Sequence, residues 1–83
     1  MDYIDVSNEE IQSFYKQIAK NVKEARKKQN VTQLDLALTI GHKSMSTIAK
    51  IEAGIEKKHY NLEHLYKISK ALDIKMIELL ENI

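Results

Sequence analysis

"IGHKSMSTIAKIEAG", residues 40–54, contains both glycines of the chain, and its reading decides the fold. Gly41 closes one helical pattern, a second opens within a few residues, and Gly54 closes that one. Ile48 and Ile51 stand three apart and share one helix face. The segments on either side of Gly41 are about eight residues each, below the ~12–15 at which an isolated helix holds in water. Both must therefore be carried on longer neighbours.

The upstream neighbour is an amphipathic helix. Ile11, Phe14, Ile18, Val22 and Ala25 recur at helical steps and form one stripe. Ser7 with Glu10 makes a capping box that predicts a start near Asn8. Arg26-Lys27-Lys28 suits the helix C-terminus, with Asn30 as a left-handed stop. Thr32 then caps a second helix with Gln33 in its first turn and Leu36, Ala37 and Ile40 inward. Ser44 is expected to cap the third. Asn61 caps a fourth, with Leu62, Leu65, Ile68 and Leu72 as its stripe and Tyr66 and Ser69 at its border. Asp73-Ile74 leads into a fifth, short helix over 75–82, carrying Met76, Ile77, Leu79 and Leu80. No strand-like alternation competes. The expectation is an all-α domain of five helices, and a short helix, a glycine turn and another short helix describe a helix-turn-helix.

Length and composition bound the rest. The 83 residues make one domain, in which residues 18–83 hold the helix-turn-helix part and residues 1–17 an N-terminal extension. That extension either lengthens the first helix or forms a separate arm. Its apolar residues Tyr3, Ile11 and Phe14 either cover the core or form a dimer contact, since apolar surface beyond a complete fold often marks an interface. Without cysteine there is neither a disulfide nor a thiolate metal site. The acidic, polar start is no secretory signal, and no apolar run approaches the ~18 residues needed to span a membrane. A cytoplasmic, soluble protein is expected. Net charge is only +1, yet residues 16–58 hold ten bases against four acids while residues 1–15 hold four acids and no base. A basic middle is the footprint of an anionic partner.

The spacing of His59 and His64 falls within the range for a zinc pair, but no cysteine or second pair completes a site. No nucleophile elbow, HExxH or glycine-rich phosphate loop occurs, so neither enzyme activity nor a cofactor is expected.

Three stretches carry a family likeness: ARKKQNVTQLDLALTIG, STIAKIEAG and NLEHLYKISKALDI. Together they resemble the Cro/repressor-type (Xre-like, lambda-repressor-like) helix-turn-helix domain, from about Ile18 to Leu80. The resemblance implies double-stranded DNA as partner, with outward residues of the third helix meeting base edges in the major groove. It implies that Gln33 contacts a phosphate and braces the third helix, and that Arg26 and Glu52 form an ion pair. The implied DNA-binding set is Gln33, Lys43, Ser44, Met45, Ser46, Thr47, Ala49, Lys50, Lys57 and Lys58.

The chain departs from the family pattern in two ways. The stretch from Gly41 to Ile48 is one residue longer than usual, and His42-Lys43 replaces an apolar residue after the glycine. The turn is therefore expected to bulge, with its side chains, like Lys57, Lys58 and His59, near the DNA backbone. Met45 either touches thymine methyl groups or is rotated toward the core, and the longer turn favours the core. Two functions follow: a sequence-specific regulator acting as a homodimer on an inverted repeat, or a module that docks a partner protein, as an antitoxin does. With no effector domain expected after the last helix, control falls to the protein's own concentration or to that partner.

Overall fold

The computed structural model describes residues 4–83. Among them the protein is all-helical, with α1 (Asn8–Lys28), α2 (Gln33–Thr39), α3 (Ser46–Ala53), α4 (Leu62–Ala71) and a terminal 3₁₀ turn (Met76–Leu80). Among the described residues no helix is long and apolar enough to cross a membrane.

Local chemistry accounts for most of the boundaries. The Ser7 hydroxyl accepts the Glu10 N–H at 3.1 Å, and Glu9 and Glu10 complement the N-terminal dipole of α1. At its other end Asn30 takes φ +59° while the Val31 N–H reaches the Arg26 carbonyl. The Thr32 hydroxyl accepts the Asp35 N–H at 3.0 Å and starts α2. Gly41 ends it at φ +92°, and the His42 N–H closes on the Ala37 carbonyl at 2.8 Å. A Cβ at Gly41 would meet nothing within 4 Å, so the backbone angle, not space, requires glycine there. Asn61 and His64 close a capping box on α4: Asn61 Oδ1 accepts the His64 N–H and His64 Nδ1 accepts the Asn61 N–H.

The core joins Ile18 and Val22 of α1, Leu36, Ala37 and Ile40, Ile48 and Ile51, then Leu65, Ile68, Leu72 and Leu79. It also takes Tyr60, which lies between α3 and α4. Its hydroxyl is buried with no hydrogen-bond partner among the described residues, and burial pushes its pKa up.

Several expectations are corrected. The fifth helix is a five-residue 3₁₀ turn, not an α-helix over 75–82. Asn21 of α1 fastens its end: its Nδ2 donates to the Leu79 carbonyl at 3.1 Å and to the Glu81 carbonyl at 2.7 Å. Glu81 is extended and Asn82 left-handed, so no further turn is built. Leu62, expected inward, is 73% exposed at the first residue of α4, clear of the packed face. The stripe of α1 meets the core only from Ile18 on, which leaves Ile11 and Phe14 exposed on the first turns. Residues 8–17 are thus a continuous part of α1; Tyr3 lies outside the described residues.

Candidate nucleic-acid interface

Helix α3 is short and must be seated from beneath. Ile48 and Ile51 do so from its inner face, at 0% and 3% exposure. Glu52 adds a polar anchor at its end. Arg26 donates from Nε to Glu52 Oε2 at 2.9 Å and from Nη2 to Oε1 at 2.8 Å, and from Nη1 to the Val31 carbonyl at 2.7 Å. Gln33 Nε2 donates to the same Oε1 at 3.0 Å. One guanidinium therefore ties the end of α1 and the turn before α2 to the end of α3 through a bidentate pair, and Gln33 adds the start of α2. Burial raises the pKa of Glu52, but the hydrogen bonds from Arg26 and Gln33 and the charges of Arg26 and Lys23 outweigh it. The carboxyl sits below its ordinary value.

The opposite face of α3 is free of the core. Ser46 is exposed, while Thr47, Ala49 and Lys50 are half-buried. Ser46 and Lys50, four apart, share that face. Lys43 and Ser44 are exposed on the preceding turn, Lys57 and Lys58 on the following loop.

Three readings of this region change. Met45 is not turned into the core: it occupies the N-cap position of α3 and is 46% exposed. Ser44 lies one residue outside that position, though its hydroxyl still accepts the Ser46 N–H at 3.3 Å. Lys50 is not an unengaged reader, because its Nζ lies 3.2 Å from Glu56 Oε2. No helical spacing rule flags that pair. It forms because Gly54 turns the chain back at φ +71° and Glu56 itself is left-handed at φ +57°.

The turn and loop histidines are held within the protein. His42 is half-buried, its ring 5.4 Å from that of His64. Burial, followed by the charge of His42, lowers the pKa of His64, consistent with a neutral ring whose Nδ1 accepts at the α4 cap. The His59 ring stacks on Tyr15 of α1 at 3.8 Å, an anchor nothing in the sequence singled out.

No significant match exists to a curated protein or to a solved structure. A family model described as helix-turn-helix matches residues 22–79, which is well over half the chain and spans α2, Gly41 and its turn, the seated α3 and α4. With that match on the same elements that the geometry sets apart, the chain belongs to the Cro/repressor-type, Xre-like helix-turn-helix family, whose domains are of the DNA-binding regulator type.

Proposed function

We propose that this protein is a sequence-specific transcriptional regulator, acting by binding alone as a homodimer on an inverted-repeat operator. The observation that carries the reading is the two-sided construction of α3. Ile48, Ile51 and the Arg26–Glu52–Gln33 cluster lock one side, and Ser46 and Lys50 are left on the other. In this reading Lys50 exchanges its carboxylate partner for guanine N7 and O6, while Met45 and Ala49 offer apolar contact to thymine methyl groups. Gln33, Lys43, Lys57 and Lys58 hold phosphates, with Ser44 and Thr47 at the mouth of the groove. These contacts set orientation without reading sequence.

Selection of bound sites from a random duplex pool tests this, repeated with variants. Lys50→Ala is expected to cost about 1–3 kcal/mol on the selected site and little on random DNA. Lys58→Ala should weaken both and flatten the salt dependence by about one. Glu56→Gln removes the competing anion and should tighten binding to the selected site. Enrichment of no sequence by the wild type would leave the docking of a partner protein in its place. The pairing of Lys50 with Glu56 is the observation that favours docking, because it thins the set of groups free to read bases.

Dimerisation supplies the specificity that one short helix lacks, by placing two reading helices ~34 Å apart. Support comes from the exposed apolar residues Ile77, Ile83, Ile11 and Phe14; Phe14 and Ile83 border one shallow groove. Met76 and Leu80 are half-buried against the core and contribute only their edges. Sedimentation at micromolar concentration should show a dimer that Phe14→Glu dissociates. A wild type that stays monomeric even with DNA would remove the inverted-repeat model.

A further inference from the structure

The basic character of the chain is not concentrated on α3. Lys16, Lys20, Lys23 and Lys27 recur along α1 at steps of four, three and four, which sets them on one side of the helix over about 16 Å. That side faces the candidate interface. Lys16, Lys20 and Lys23 border a groove whose other wall is Glu52, Ala53 and Gly54 at the end of α3. Lys23 and Lys27 share the adjoining groove with Gln33 and Ala49. At the opposite end Lys16 lies across a third groove from Lys57 and Lys58. The stack of Tyr15 on His59 fastens that loop to α1 and holds its two lysines beside Lys16.

The neighbouring acids do not neutralise this row. Among the described residues none of these six lysines forms an ion pair; the three pairs present are Arg26–Glu52, Lys50–Glu56 and Lys67–Glu63. Glu52, the acid within the grooves, already accepts three hydrogen bonds from Arg26 and Gln33, and of the six lysines its charge acts on Lys23. Glu24 of α1 borders a different groove, with Ile74 and Glu78. Six like charges side by side repel one another and invite a counter-charge from outside.

We infer that this lysine row is a second phosphate-binding track, which follows the backbone of the same duplex past the reach of the recognition helix. The inference rests on the DNA-binding reading above and extends it to α1, including turns upstream of the family match. A duplex fits better than a compact anion because the row is long and regularly spaced, and the duplex carries one negative charge per about 1.7 Å of its axis. The track gives affinity and salt dependence without sequence preference.

The test uses the full chain and a labelled random-sequence duplex, with the dissociation constant measured over a range of salt concentrations. Each phosphate contact contributes about 0.9 to the slope of log K against log salt. Lys16→Gln with Lys20→Gln is therefore expected to reduce the slope by about two. Both side chains are exposed, so circular dichroism melts should match the wild type. Lys70→Gln with Lys75→Gln, which removes the same charge from α4 and the segment after it, is expected to leave the slope unchanged. The inference is overturned if the α1 variant keeps the wild-type slope, or if both double variants lower it equally, since net charge alone would then be at work. It is also overturned if the α1 variant binds DNA normally but loses binding to polyglutamate, which would assign the row to an acidic protein. A wild type that binds no duplex at any salt concentration fails the DNA-binding reading itself, a result distinct from these.

Discussion

Glu52→Gln lowers the melting temperature of this domain by at least ~12 °C. The substitution keeps the shape of the side chain and removes its charge, leaving the Arg26 guanidinium buried at 7% exposure without its counter-ion. Breaking a buried pair by removing one partner costs about 3–5 kcal/mol, and each kcal/mol moves the midpoint of a domain this size by about 4–8 °C. A small domain has roughly 5–15 kcal/mol in total, so the loss is a large fraction of the whole. Thermal melts at neutral pH measure it. An exposed pair would be worth about 0–1 kcal/mol, and a shift of only a few degrees would show that the pair acts like one.

The pH dependence has a definite sign. The pKa of Glu52 is depressed in the folded state, so its contribution is fully present above the ordinary value of 4.5 and is lost as pH falls through the folded value. Wild type and Glu52→Gln should therefore differ most near neutrality and converge in acid. Replacing both partners by apolar residues, Arg26→Met with Glu52→Leu, should recover part of the loss because no unpaired charge remains.

Ile48→Ala is expected to cost about 2–5 kcal/mol in denaturant unfolding, the combined loss of buried methylene groups and of the cavity they leave. Ile48 is fully buried on the inner face of α3. The penalty is therefore paid in the element that positions Ser46 and Lys50, and DNA affinity should fall with stability. Ile48→Val, which removes one methyl, should cost about 0.5–1.5 kcal/mol. Leu62→Ala is the contrasting case. Periodicity puts Leu62 on the same stripe as Leu65 and Ile68, yet at 73% exposure its truncation should stay within about 0.5 kcal/mol. A loss of 2 kcal/mol or more at Leu62 would contradict the exposed position described for it.

Where sequence reading succeeded, the deciding physics is local. Ser7, Thr32 and Asn61 each have a side-chain oxygen within reach of a backbone N–H three residues on, so each marks a helix start whatever surrounds it. Gly41 and Gly54 mark stops because their positive φ angles are an intrinsic preference. The 3.6-residue repeat is enough to turn Ile18 and Val22, Leu36 and Ala37, and Ile48 and Ile51 inward. The Arg26–Glu52 pair was legible too, but only through family resemblance, since no local rule joins residues 26 apart.

The tertiary structure decided the features whose energy depends on what stands opposite. Leu62 carries the right periodicity, but an apolar side chain is buried only where a neighbouring element covers it. Tyr60 stands outside every helical pattern, between α3 and α4, yet is 3% exposed and joins the core. The 3₁₀ turn Met76–Leu80 is fastened by Asn21, 58 residues away, whose Nδ2 donates to the Leu79 carbonyl. Lys50 is held by Glu56 because two left-handed residues fold the loop back, and His59 is held by Tyr15 because α1 runs beside that loop. The sequence by itself thus determined where the helices begin, end and turn their apolar faces, since those are properties of neighbouring residues. Which of those faces are covered, and which charges remain free for a partner, was decided only when distant segments met.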